Sequence, residues 1–307
     1  MGSINMFSFY KNHAKKFLKN VRDFDHVILI GPIIFAPFLF FIQKIIKQRN
    51  LFLITWIRSN SLGEMKASGS KFVLLAPFFE KYVLKESNRI ITNGHDTFNL
   101  YSINYPQFKK KIRCVPNAVD VEKFIDIPTE FKNTTIKVAY LGRYVKAKGF
   151  DKFIEAIQLF SQKYPWLSKK IKFLSFGHGE IKVPSTFMKD RGKYTPENLK
   201  TILEEIDVVV FLNSSNHSGG LSHALLEVMA AGKLIIAWDN EVHNQVLTND
   251  NSFLIEEDNI SALVEAFVSL SETKSENNLL QKRNNVRMLS KQYSTKQHFK
   301  NYLDAIT

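Results

Sequence analysis

Arg143 and Lys148 stand five residues apart in Leu141-Gly142-Arg143-Tyr144-Val145-Lys146-Ala147-Lys148-Gly149-Phe150-Asp151. A guanidinium fork and a lysine point charge at that spacing suit the oxygens of a diphosphate. A second constellation follows at Ser218-Gly219-Gly220-Leu221-Ser222-His223-Ala224-Leu225-Leu226-Glu227. Two glycines let a backbone come close to a ligand, and free N–H groups at a helix start favour an anion. Glu227 is one turn beyond His223, off the apolar stripe, where it can face a cleft. Basic loop residues are commonly just solvated; here the two constellations support one another.

The elements that must carry these residues are legible. Ile136–Leu141 alternates and is β-favouring, which predicts a strand, with Gly142 and Arg143 in the loop after it. From Phe150 the period changes, and Phe150, Phe153, Ile154, Ile157 and Phe160 form one helical face. Residues 221, 224, 225, 228 and 229 form another, so a glycine-opened helix is expected from Gly219. In open α/β sheets the carboxyl ends of the strands are where ligands bind.

These pieces resemble retaining glycosyltransferases of family 4. Val115-Pro116-Asn117-Ala118-Val119-Asp120, with Phe124, is close to that family's "PNGVD…F" signature. Gly142-Arg143 with Lys148-Gly149-Phe150-Asp151 resembles its "GR…KG.D" loop. The segment ending at Glu227 resembles its "E-x7-E" donor helix, and Ala230–Ala237 the "A.G.PVIA" strand. The resemblance implies the α/β GT-B fold: two Rossmann-like domains with a cleft between them and a C-terminal helix crossing back to the first. It places a shortened acceptor domain at 1–130, a nucleotide-sugar donor domain at 131–292 and the returning helix at 293–307.

It also implies the activity: transfer of a sugar, with retention, from a nucleoside-diphosphate sugar to a glycan or lipid-linked acceptor. Arg143, Lys148 and Glu227 would be the catalytic set. Gly142, Tyr194, Gly219, Gly220, Leu221, Ser222 and His223 would contact the donor. Protein groups rather than a metal would steady the leaving diphosphate, so neither cofactor nor metal is expected. The pattern has gaps. Gly219 stands where the family has its first Glu, and His217, Ser218, Ser222 or His223 would have to supply polar contacts to the sugar. Residues 239–245 lack the usual glycine pair, and Ser252 replaces a glycine. A catalytically silent GT-B-like partner subunit is therefore the alternative.

The 307 residues are enough for two domains, with Cys114 the single cysteine, compatible with a reducing cytosol. No signal-peptide cleavage site is recognisable. The opening strand with its glycine-rich loop is not recognisable before Val27, as though that unit were rebuilt or lay upstream. Of the net charge of +13, residues 1–130 supply +9. Lys11, Lys15, Lys16, Lys19 and Arg22 recur at helical intervals beside Phe7, Phe17 and Leu18, which suits an anionic membrane surface or a solvated face. The expectation is a cytoplasmic protein, peripheral at the inner face of a membrane in the first case. No motif for reading nucleic acid is present.

Val27–Ile42 carries no charge but contains Gly31, Pro32 and Pro37 and is short for a span. It reads as a strand, Val27–Ile30, then a turn and a helix containing Phe35, Phe38, Leu39 and Ile42. Leu51–Thr55 and Arg89–Thr92 read as further strands. Gly31, Arg58 and His95 fall at strand ends and, with His217, are acceptor or cleft candidates. Arg58 has a structural role as its alternative, and His95 with Asp96 could form a general-base pair. Asp23-Phe24-Asp25 spells a metal-binding D-x-D, but it precedes a strand, at the wrong end of the sheet.

Overall fold

Strand and helix alternate along the whole of the computed structural model, which describes residues 16–17, 25–67, 69–130, 135–215, 219–272 and 276–307. Lys11, Lys15, Lys19, Arg22, Asp23, His217 and Ser218 lie outside the described residues. The chain forms two compact units. The first holds the described residues up to Pro116, the pair 219–220 and Lys300–Thr307; the second holds 117–215 and Leu221–Phe299.

In the first unit the order is β1 (His26–Ile30), α1 (Pro32–Gln48), β2 (Phe52–Ile57), α2 (Ser61–Ala67), α3 (Ala76–Glu86), β3 (Arg89–Thr92), α4 (His95–Asn104) and β4 (Ile112–Cys114). The strands pair in parallel in sequence order. β2 reads Phe-Leu-Ile-Thr-Trp-Ile and is buried along most of its length, as parallel strands covered on both faces are. It runs two residues past the expected end at Thr55. Trp56 pairs with Ile30 and Ile91, and Ile57 with Thr92, so a neighbour on either side extends it. At Gly31 (φ 90°) the chain turns from β1 into α1, and its N–H donates to the Trp56 carbonyl at 3.0 Å. Leu39 and Ile42 of α1 are fully buried against this sheet, and Phe38 nearly so.

The second unit contains β5 (Ile136–Tyr144), α5 (Phe150–Lys163), β6 (Ile171–Gly179), β7 (Lys189–Asp190), α6 (Leu199–Glu205), β8 (Val208–Phe211), α7 (His223–Ala230), β9 (Leu234–Asp239), β10 (Phe253–Glu256), α8 (Ile260–Glu272) and α9 (Glu276–Ser290). Its six strands are parallel in the order β10-β9-β8-β5-β6-β7. The alternation of β5 divides the core. Ala139 and Leu141 join α7 and Val286 on one face, while Val138 and Tyr140 join Phe153, Phe160 and Phe267 on the other. The closing helix, α10 (Thr295–Ile306), ends among residues of the first unit, where Tyr302 stacks on Trp56 with ring centroids 5.8 Å apart.

β5 continues through Arg143 and Tyr144, which the sequence placed in a loop. Gly142 pairs with Gly177 and Tyr144 with Gly179. A Cβ on Gly177 would sit 1.8 Å from the Gly142 carbonyl oxygen, so only glycine lets the two backbones run so close. After the 3-10 turn Lys146–Lys148, Gly149 takes a left-handed conformation (φ 69°), and a Cβ there would lie 2.2 Å from the Leu212 carbonyl oxygen. Gly149→Ala is therefore expected to destabilise the second unit by about 2–4 kcal/mol, combining left-handed strain with a backbone clash. Urea unfolding followed by circular dichroism measures it, and an unchanged midpoint would contradict this packing.

Candidate functional site

In the second sheet the strand order reverses at β5, which lies between β8 and β6. The carboxyl ends of β5 and β8 therefore flank a topological switch point, the place in an open parallel sheet where a crevice forms. A cavity of about 150 Å³ opens there, lined by Tyr140, Gly142, Arg143, Lys148, Tyr194, Asn213 and Ser222 among others. Five of the residues expected from sequence thus line one cavity. A larger depression, about 740 Å³, lies against β6 and β7 over Phe160, Phe173, Phe187 and Met188 and shares none of them.

The loop bearing the two cations is shaped by Tyr140. Its ring is buried among Tyr144, Phe150 and Phe153. Its hydroxyl lies 2.9 Å from the Arg143 carbonyl oxygen and 3.1 Å from that of Lys148, donating across both ends of the turn. Burial pushes the phenol pKa well above its ordinary range, so the proton stays in place for this bond.

α7 starts four residues later than Gly219. Ser222 is its N-cap, and its Oγ accepts from the Leu225 N–H at 3.4 Å. Asn117, buried, donates to the Leu221 carbonyl at 2.6 Å, and His223 Nδ1 donates to the Ala118 carbonyl at 3.3 Å. The asparagine of the Pro116-Asn117 signature thus holds the approach to α7. Leu221 itself is a core residue, with its side chain in the apolar layer. Glu227 is half-buried one turn into the helix. Burial raises its pKa, Lys123 opposes the rise, and its charge in turn helps raise that of Tyr194, which burial lifts first.

A family model, glycosyl transferases group 1, matches residues 121–287, which include every one of these second-unit residues except Asn117 and Ala118. The chain belongs to this family. Among its relatives is a glycosyltransferase of Methanocaldococcus jannaschii, 24% identical over 268 residues, covering 82% of this chain and 64% of the relative. The chain therefore spans less than two thirds of that protein's length. TarM of S. aureus superposes with TM-score 0.72 at 20% identity over 96% of this chain and 57% of TarM. Sucrose-phosphate synthase of Thermosynechococcus elongatus gives TM-score 0.72 at 14% identity, covering all of this chain and 81% of the synthase. HepE of Anabaena, solved with UDP, gives 0.70 at 12%, over 95% and 81%. The fold is GT-B.

The remaining candidates of this glycosyltransferase-family chain belong to the first unit. Gly31, Arg58 and His95 all follow the carboxyl ends of strands, and the Asn93 amide joins two of these ends by donating to the Arg58 carbonyl at 3.2 Å. His95 is exposed, whereas Asp96 is buried and accepts from the Gly220 N–H at 3.1 Å. Burial raises the Asp96 pKa, and backbone N–H groups hold the rise back. Gly220 (φ 72°) leaves no room for a Cβ, which would meet the Asn93 amide at 2.0 Å. Its N–H is therefore spent inside the protein rather than left for an anion, a correction to the glycine-opened helix. His217 lies outside the described residues.

Three groups beside the cavity carried no local sequence signal. Glu257 accepts from the Asn240 amide at 2.8 Å and the Ser215 N–H at 3.0 Å, and these bonds hold its pKa low against burial. Asn240 also donates to the Asn213 carbonyl at 3.0 Å. His243, fully enclosed, donates from Nδ1 to the Trp238 carbonyl at 3.0 Å. Burial, reinforced by the charge of Lys148, lowers its pKa to about 4. The unfolded chain binds this proton near pH 6.5, so the stability His243 confers is complete above pH 6.5 and is lost as pH falls through 4. Urea titrations at pH 7 and pH 5 should differ by roughly 2 kcal/mol from this residue. His243→Gln should flatten that difference, and an equal slope in the variant would assign the acid sensitivity elsewhere.

Proposed function

We propose that the chain is a retaining glycosyltransferase that moves a sugar from a nucleoside-diphosphate sugar to a glycan or lipid-linked acceptor. The observation that carries this is the convergence of Arg143, Lys148, Tyr194 and Ser222 on one cavity at the switch point of the second sheet, with Glu227 close enough to act on Tyr194. Arg143 and Lys148 would hold the diphosphate and stabilise the charge it gains on leaving. Tyr194 would lie against the base, and the Glu227 carboxylate would accept from the ribose hydroxyls. The exposed His223, with Ser222, borders the position of the sugar.

In this reading the bond from the anomeric carbon to the diphosphate oxygen breaks, and its electron pair departs with the diphosphate. The acceptor oxygen bonds to the same face of that carbon, and its proton passes to the departing oxygen. No side chain needs to act as nucleophile, and the cations at the diphosphate are the protein's own. The UDP in HepE makes that nucleotide the first probe to use. No described helix is long and apolar enough to cross a membrane.

Lys148→Ala should lower turnover of the accepted donor about 10²–10³-fold with an unchanged unfolding midpoint. Wild-type turnover in that variant would refute the phosphate role, and nucleotide binding without turnover in the wild type would favour a silent partner subunit. Only the ionised Glu227 carboxylate can accept from two ribose hydroxyls with both oxygens, and its pKa is raised. Nucleotide affinity, measured by calorimetry, should be full above that pKa and fall as pH drops through it, starting at a higher pH than an ordinary glutamate would give. Glu227→Gln should bind more weakly and lose this pH dependence.

A further inference from the structure

Four strongly exposed apolar side chains of the first unit are gathered in one short stretch. Phe72 is 65% exposed, Leu74 87%, Leu75 55% and Phe78 65%. The stretch runs from the 3-10 turn Lys71–Leu74 into α3, with the Leu75 N–H donating to the Phe72 carbonyl and the Phe78 N–H to that of Leu75. Residues three apart eclipse one another in such a turn, so Phe72, Leu75 and Phe78 line up along one side. On α3 the same side continues through Lys81 and Lys85. Tyr82 stacks flat on Phe40 of α1, ring centroids 4.2 Å apart, and Phe40 is itself half exposed.

The exposed charges around this face are mostly positive. Lys66, Lys71, Lys81 and Lys85 are exposed. Of the carboxylates on α2 and α3, Glu80 is buried and receives the hydroxyls of Tyr101 and Tyr105 at 2.6 Å each, and Glu86 is paired with Lys47. Only Glu64 is left exposed. The inner side of α3 is fully committed, since Phe79, Tyr82 and Val83 pack on the core of α1 and β2. The apolar outer residues are thus not spare core.

We propose that this face, Phe72, Leu74, Leu75 and Phe78 ringed by Lys71 and Lys81, is a docking surface for an anionic lipid bilayer. Large apolar side chains would enter the acyl boundary while the lysines extend to the headgroups on their flexible stems. A protein partner fits less well, because lysine is depleted where proteins meet. The surface deepens the acceptor side of the proposed reaction by favouring a lipid-linked acceptor. Its test reads lipid binding and not turnover, so either reading can fail while the other stands.

The test is cosedimentation of the full chain with vesicles of phosphatidylcholine alone or mixed with phosphatidylglycerol. The chain should pellet with the mixed vesicles and not with the neutral ones, and added salt should weaken the binding. Phe72→Ser/Phe78→Ser, which leaves every charge in place, should reduce partitioning by about tenfold or more with an unchanged unfolding midpoint. Leu74→Trp, which retains the apolar character, should bind as the wild type and show an added blue shift in emission on mixed vesicles. A wild type that stays in solution, a double serine variant that binds equally, or a Leu74→Trp variant whose emission does not move would each overturn the proposal. So would a change in oligomeric state in the serine variant without vesicle binding, which would give the face to a second copy of the chain.

Discussion

The buried hydroxyl of Tyr140 bridges the two ends of the turn that carries Arg143 and Lys148, and the candidate site depends on it. Two cationic side chains on a free loop would each lose rotamer freedom on meeting a ligand. Here the backbone beneath them is fixed beforehand, because one proton serves the carbonyls of both residues and the ring behind it is clamped by Tyr144, Phe150 and Phe153. The aromatic cluster that stabilises the start of α5 is thus also what orients the charges. Fold stability and the setting of the two charges share the same atoms.

Periodicity made individual elements readable beforehand, the alternation in β5 and the 3.6-residue period from Phe150 among them. The architecture, and the grouping of Gly142, Arg143, Lys148, Tyr194 and Ser222 that line one cavity, came from the family resemblance. What escaped were contacts between residues far apart in sequence. The length of β5 is set by Gly177 and Gly179 on β6, a strand that a whole helix separates from it along the chain. The start of α7 is set by a serine cap, and the Gly220 N–H, which looked free, meets a carboxylate from α4. His243 drew no attention for a similar reason: a histidine becomes informative only once its enclosure and its neighbours are known.

The position where the family pattern has an acid shows how local packing can displace a motif. At the neighbouring Gly220 a side chain would collide with Asn93, and the Gly219 carbonyl accepts from that same amide at 3.4 Å. The turn is built for close backbone contact. The carboxylate that meets it, Asp96, is turned inward and occupied with backbone N–H groups. Next along the chain, Ser222 and His223 are fixed by a helix cap and by the Ala118 carbonyl.

The contact of Gly149 with Leu212 has a geometric consequence. Because no side chain separates them, the backbone that carries Lys148 and the backbone that leads to Asn213 are held at a fixed spacing, like the jaws of a caliper that has been locked. The width of the cavity is then a property of main chain and is indifferent to most substitutions around it. Differences in the shape of an occupant would fall on lining side chains such as Asn213 and Ser222 rather than on the spacing of the jaws.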